Sequence, residues 1–407
     1  MEMSEVKPNN SEPQSKEVPV EKKEEPASEP QPEKQPLPSL DASGQVLKPG
    51  AKIRPEVTTL EVEKLAQRLY GITVFTIKEL VSYDDRNFLI TEDTNIKNPL
   101  ITDNCPDGYV LKVLNTHDSK KQDFIDAQSQ LMVHMRSQGI LCPKPVINVY
   151  GKLYSIEIIN NEKHIVRLLE FIPGQMFHEI PHTKNLFYQA GEYIAKFDNA
   201  LKGFKHDAYD NHKTLWMLES VPRLKEFVYV IKDPARAEMV EQVIEAFETH
   251  VLSQTDKFEK GIIHGDFNEQ NIIVNKPKGR NEYIISGILD FGDTSYSPLV
   301  FELAIAMTYM ILQGKDLSVG GLVLAGYNSV RLVPEKEQAI LMYCVAARLC
   351  QSLVLGAYTH SLDPENDYLL ITQKVGWEIL EKIWADFNRA NEIWKETADD
   401  YLKQSIK

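Results

Sequence analysis

The segment Ile262-Ile-His-Gly-Asp-Phe-Asn-Glu-Gln-Asn-Ile-Ile-Val274 constrains this chain more than any other. An apolar strand enters a polar loop and a second apolar strand leaves it, so His264, Asp266, Asn268 and Asn271 are presented together at a strand edge. Asn271 follows Asp266 by five residues, and nineteen residues after Asn271 a second acid stands in Ile288-Leu-Asp-Phe-Gly292. Taken singly, the first motif reads equally as an Asx-turn hairpin and the second as a strand end. Together and in this order they supply what phosphoryl transfer needs: one carboxylate to accept a hydroxyl proton, and a second carboxylate with an amide oxygen to hold a divalent cation.

The surrounding patterns divide the chain. Apolar positions at helical spacing begin near Val57 and stop at Gly71. Strand-like runs follow at Ile72–Leu80, Asn87–Thr91, Tyr109–Leu114, Val146–Val149, Tyr154–Ile159 and His164–Glu170, with a helix over Lys121–Gln138 between the third and fourth. After the break Phe171-Ile-Pro-Gly174 the pattern turns helical, over Leu186–Phe204, Val221–Tyr229, Ala235–Phe258, Val300–Leu312, Pro334–His360 and Tyr368–Asp400. Short strands at Ile262–Ile263, Ile272–Val274 and Tyr283–Leu289 interrupt it. The expected fold is α+β and bilobal, of the protein-kinase kind: a β-rich N-lobe for nucleotide over 55–172 and a mainly helical C-lobe for catalysis and substrate over 173–407.

Residues 1–50 carry nine of the 22 prolines, mixed with Glu, Lys, Ser and Gln, and are read as a disordered tail that cannot bury enough apolar surface to offset its ordering entropy. The tail contributes -4 to the net charge of -14, so most of the acidity belongs to the folded part, which argues against a nucleic-acid or anionic-membrane partner. Cys105, Cys142, Cys344 and Cys350 show no metal or disulfide spacing and read as reduced thiols. The N-terminus has no apolar signal region, so a cytoplasmic location is expected. The most apolar stretch, Leu299 to Leu312, is interrupted by Glu302 and falls short of the ~20 residues of a membrane span, so none is expected.

The loops His264-Gly-Asp266 with Asn271 and Asp290-Phe-Gly292 resemble those of the aminoglycoside phosphotransferase and choline kinase superfamily, and the likeness runs over residues 55 to 400. Gly265 stands where protein kinases carry an Arg used in activation-loop control, which favours a small-molecule acceptor. The segments Ser82-Tyr-Asp-Asp-Arg-Asn-Phe88, Tyr109-Val-Leu-Lys112, Val166-Arg-Leu-Leu169, Ser286-Gly-Ile-Leu-Asp-Phe-Gly-Asp293 and Gln351-Ser-Leu-Val354 are similar to hydroxylysine kinases. That resemblance implies transfer of the γ-phosphoryl group of GTP, or ATP, to the side-chain hydroxyl of 5-hydroxy-L-lysine with Mg²⁺. It also implies Asp266 as catalytic base, Asn271 and Asp290 as Mg²⁺ ligands and Lys112 as the α/β-phosphate lysine. His264 is read as a hydrogen-bonding brace of the loop. Choline, ethanolamine, homoserine or an aminoglycoside are alternative acceptors, and a catalytically silent kinase-fold binding protein is the alternative of another class.

Two positions depart from the kinase pattern. The acid that pairs with the strand lysine is replaced by Gln128, which either hydrogen-bonds Lys112 or leaves Asp126 as its partner. The loop Ser82–Asn87 has no glycine, so Ser82 and Asn87 are expected to cover the phosphates through a β-turn. The hinge is expected at Glu170 and Phe171, whose backbone groups would read the base. For a dibasic amino acid, Asp293 is the candidate for an ammonium group or else a turn cap, and Arg348 the candidate for the carboxylate or else the partner of a structural acid such as Glu302. The four tryptophans read as packing, and the His206–His212 stretch as a surface loop by the substrate cleft. Nothing in the pattern sets the oligomeric state.

Overall fold

The computed structural model describes residues 39, 45, 53–82, 84–92, 96–102, 104–362 and 373–405. Apart from Ser39 and Gln45, the expected tail over 1–50 lies outside the described residues, as does the start of the helix expected over Tyr368–Asp400.

The N-lobe opens with α1 (Thr59–Tyr70), whose start is set by a capping box: the Thr58 hydroxyl accepts from Glu61 N–H, and Glu61 accepts from Thr58 N–H at 2.7 Å. Gly71, in the left-handed region, ends it. Strands β1 (Val74–Leu80), β2 (Arg86–Glu92), β3 (Tyr109–Val113), β4 (Ser155–Ile159) and β5 (Glu162–Glu170) form one antiparallel sheet in the order β1-β2-β3-β5-β4. Val62, Leu65 and Leu69 of α1 pack with Phe88, Ile90, Leu111 and Leu168 of the sheet into a separate core. Helix α2 (Gln122–Ser137) lies between β3 and β4 in sequence, yet its apolar face, Phe124, Leu131, Met132 and Met135, joins the core of the helical lobe. The connection between lobes is therefore a packed helix as well as the chain crossing after β5.

The expected strand at Val146–Val149 is not formed. Pro145 bridges Leu169 and Val146 N–H donates to the Leu168 carbonyl at 2.9 Å, but the chain then turns at Asn148, whose Oδ1 accepts from Tyr150 and Lys152 N–H at 3.0 and 2.9 Å.

The C-lobe continues with β6 (Gln175–Met176), α3 (Lys184–Ala200), α4 (Pro234–His250), β7 (Lys260–Ile263), β8 (Ile272–Asn275), β9 (Ile284–Ile288), β10 (Ser295–Pro298), α5 (Leu299–Gly314), α6 (Val319–Val330), α7 (Glu335–Gln338), α8 (Leu341–Leu362), α9 (Gln373–Ala385) and α10 (Phe387–Ser405). The strands make two small sheets, β6-β8-β9 and β7-β10, which hold the polar loops at their edges. Val221–Tyr229, expected as α-helix, forms 3-10 turns because Pro222 cannot donate a helical hydrogen bond. Helix α6 had no counterpart in the sequence pattern: its glycines read as breakers but serve close approach, and a Cβ at Gly326 would meet the Tyr188 carbonyl at 1.9 Å.

Among the described residues one helix, α8, is long and apolar enough to cross a membrane, unlike the shorter 299–312 stretch singled out above; 78% of its apolar window is buried against the protein, so that surface is occupied by packing. Among the described residues all four cysteines are free, three of them buried and Cys105 half-buried.

Asp198 of α3 is buried and accepts a hydrogen bond from the Tyr327 hydroxyl at 2.6 Å, while its second oxygen has no partner. Burial pushes its carboxyl up to about 7. The folded state thus holds a proton that the unfolded chain releases near pH 4, and stability falls as pH rises from about 4 to about 7. Asp198→Asn keeps an acceptor for Tyr327 and removes the buried charge, so its melting temperature is expected to fall less than wild type's between pH 5 and 7.5. Parallel melting profiles across that range would contradict this account.

Candidate active site

The cleft between the sheet and the catalytic loops is lined by Ser82, Asp85, Asn87, Lys112, Asp118, Gln128, Arg167, Asp290 and Asp293, with His212, Thr214 and Trp216 on the helical side. The loop between β7 and β8 is held by its own hydrogen bonds. His264 is fully buried; its Nε2–H donates to the Leu289 carbonyl at 2.9 Å and its Nδ1 accepts from Asp266 N–H at 3.3 Å. Burial lowers its pKa, which keeps the ring neutral and fits that tautomer. The bracing expected of His264 is what the geometry contains.

Gly265 has φ +79°, and a Cβ there would lie 2.4 Å from the Asp293 carbonyl. The absence of the protein-kinase Arg at this position therefore has a steric cause as well.

Asp266 receives Asn268 Nδ2 at 2.8 Å and Asn271 Nδ2 at 2.9 Å on one oxygen, and Arg348 Nη2 at 3.4 Å on the other. Desolvation raises its pKa, and the Arg348 charge opposes that rise. Asn271 also donates to the Asp266 carbonyl at 3.0 Å, so its amide nitrogen is committed to the loop and its amide oxygen is what it can offer a ligand. Across the cleft Asp290 adopts φ +56° and accepts from Gly292 N–H at 3.0 Å. Despite desolvation its pKa is lowered by Lys112, the Gly292 N–H and Arg167. Asp293 lines the same cleft and is pushed up to about 8 by desolvation and by the charges of Asp266 and Asp290.

Arg348, on α8, is 1% exposed. Its Nη1 donates to the Trp216 carbonyl (2.7 Å) and Gln351 Oε1 (2.8 Å), and its Nη2 to the Tyr309 hydroxyl (3.1 Å), the Gly265 carbonyl (3.4 Å) and Asp266. The rings of Trp216 and Tyr309 lie 5.4 and 5.3 Å from the guanidinium. The expectation that Arg348 meets a substrate carboxylate does not fit this burial; the side chain is a brace of the catalytic loop. Its ion-pair partner is Asp266 rather than the anticipated Glu302, which instead accepts from Gly265 N–H at 3.1 Å. Burial, aided by the charge of Asp198, pushes Glu302 up to about 8.

On the sheet side Lys112 lies 3.9 Å from Asp85, an acid in the β1–β2 loop that the kinase template does not anticipate. Asp85 also accepts from Asn115 N–H and Nδ2 at 2.8 and 3.0 Å. Neither helix candidate reaches Lys112: Gln128 accepts from Arg167 Nη1 at 3.1 Å, and Asp126 faces His206 at 3.5 Å. Ser82 donates to the Asp85 carbonyl and turns the glycine-free loop, and Asn87 sits opposite Lys112 in the β2–β3 register. Glu170 and Phe171 are not brought into this cleft. Their N–H groups already donate to the Lys144 and Gly108 carbonyls at 2.9 and 3.1 Å, so the expected reading of a base by those donors is not available. Asp85, Arg167 and Tyr309 were missed because each acts through a contact far away in sequence; for Arg167 the only local signal was its basic side chain in an apolar strand.

A five-stranded sheet facing paired acidic loops, with a lysine on the third strand, defines a phosphotransferase of the small-molecule kinase kind. Residues 76–334 match the phosphotransferase enzyme family, and the chain is 37% identical to hydroxylysine kinase of Bos taurus over 374 residues, 88% of this chain and 98% of that one. The chain belongs to this phosphotransferase family and, within it, to the hydroxylysine kinases. Among solved structures it resembles amicoumacin kinase in complex with AMP-PNP, Ca²⁺ and Ami (TM-score 0.58, 18% identity, 79% of this chain and 94% of that one). It also resembles the GDP complex of wild-type aminoglycoside 2'-phosphotransferase-IIIa (TM-score 0.54, 16% identity, 81% and 99%).

Removing the guanidinium by Arg348→Met leaves the partly exposed Asp266 without its cation and the Trp216 carbonyl and Gln351 amide oxygen without their donor, and should cost about 2 kcal/mol or more in unfolding free energy. Denaturant unfolding measures it; a change within about 0.5 kcal/mol, the range of surface substitutions, would remove Arg348 from the role of loop brace.

Proposed function

We propose that the chain transfers the γ-phosphoryl group of GTP to the side-chain hydroxyl of 5-hydroxy-L-lysine, giving 5-phosphohydroxylysine and GDP. The observation that carries this reading is Asp266, held by Asn268, Asn271 and Arg348 in a loop that packs at Gly265 against Asp293, which lines the cleft with Lys112 and Asp290. Similarity to a hydroxylysine kinase along nearly that protein's whole length supports the acceptor. GTP is the donor that the likeness to hydroxylysine kinases implies.

In this reading Asp266 accepts the proton of the attacking hydroxyl; its raised pKa makes it the stronger base. Lys112 and the turn carrying Ser82 and Asn87 hold the phosphates. Asn271 and Asp290 offer two hard oxygen donors, a set that fits Mg²⁺, which takes its remaining ligands from water and phosphate. When bound, the ion supplies charge neutralisation at the phosphate oxygens. Asp293 faces an ammonium group of the acceptor, whose charge would offset the burial and the carboxylate repulsion that raise its pKa. Arg348 acts only through Asp266, by fixing where that carboxylate points.

Steady-state kinetics with 5-hydroxy-L-lysine, homoserine, choline and ethanolamine, each with Mg-GTP and Mg-ATP, test donor and acceptor together. The expected result is the highest kcat/KM for 5-hydroxy-L-lysine with GTP, by about tenfold or more over the next pair. Preference for another acceptor or for ATP would overturn that half of the reading, and no turnover with any pair would overturn the whole.

A further inference from the structure

The replacement of the helix acid by Gln128 has a counterpart two strands away. Arg167 on β5 is paired in register with Lys112 on β3, so both side chains leave the same face of the sheet, towards the cleft. Like charges at directly opposed cross-strand positions repel, and a sheet retains them where anions balance them. Asp85 serves Lys112 and Asn115. Arg167 makes no ion pair among the described residues; its Nη1 donates to the neutral Gln128 oxygen, and its Nε has no hydrogen-bond partner although the residue is only 4% exposed. A buried guanidinium held by an amide, with a donor left idle, is costly unless a ligand completes it.

We propose that Arg167 is a second polyphosphate-binding cation beside Lys112, and that Gln128 holds it in place without cancelling its charge. A glutamate at 128 would bind the guanidinium as firmly but neutralise it; glutamine supplies the hydrogen bond and leaves the positive charge for the β- and γ-phosphates. Asp85 and, less strongly, Asp290 are close enough for their charges to be felt by Arg167, which lines the same cleft as both. The proposal rests on nucleotide occupying this cleft and is independent of the acceptor.

Calorimetric titration of the full chain with Mg-GTP and with GMP separates a phosphate contact from a structural role, with Mg-ATP and AMP taking their place if adenine proves to be the donor base. Arg167→Met should weaken triphosphate binding by about tenfold or more and leave monophosphate binding within about twofold. Gln128→Glu should shift triphosphate affinity in the same direction by several-fold, and it decides the matter if Arg167→Met does not fold. Equal losses for both nucleotides, or no loss for either, would overturn the proposal. A wild-type chain that binds none of them would instead overturn the nucleotide-site reading on which it rests.

Discussion

The buried guanidinium of Arg348 is the contact on which the rest of the site depends. It reaches from α8 to the Gly265 carbonyl and the Asp266 carboxylate, while Glu302 of α5 takes the Gly265 N–H from the other side. The catalytic loop is thus clamped between one cation and one acid carried by two otherwise apolar helices. Both side chains are buried, and burial raises the Glu302 carboxyl to about 8, which leaves the Arg348 guanidinium as the charge to be compensated. Trp216, Tyr309 and Gln351 accept from its two Nη groups while its Nε has no partner among the described residues, and Gln351 in turn holds the 215–217 segment by donating to the Leu215 and Met217 carbonyls at 2.6 and 3.1 Å. The same network therefore sets the catalytic loop and the adjoining wall of the cleft.

The cleft itself is electrically divided. The sheet presents Lys112 and Arg167, with Asp85 3.9 Å from Lys112; Asp290 and Asp293 line the same cleft from the loop after β9. In a chain of net charge -14, that pair of neighbouring cations is a local exception. On the function proposed above, the nucleotide's phosphates would go to the sheet side and the cationic amino acid to the loop side, without a large basic surface.

Much of this was legible in the sequence, and the misses have physical causes. The two loops and the strand lysine were readable because catalytic geometry demands fixed residue types at fixed local spacing. Gly265 and His264 belonged to that spacing and keep their places. Helix α6 was hidden because glycines that permit contact with Tyr188 look like breakers. The partner of Lys112 was sought on a helix, where Gln128 stood, and came from a loop, since an ion pair needs proximity and no particular element. Arg348 was recognised as unusual in an apolar helix, but a single buried arginine looks the same whether it awaits a ligand or braces a loop; only its partners tell the two apart.

The central claim is that Asp266, in the position this network imposes, takes the acceptor's proton during direct transfer. Single-turnover rates of Asp266→Asn and Asp266→Ala, with nucleotide and 5-hydroxy-L-lysine both saturating, measure it most directly. The account predicts a fall of about 10²–10⁴-fold in rate, with circular dichroism and Mg-nucleotide affinity retained. Either variant turning over near the wild-type rate would contradict it.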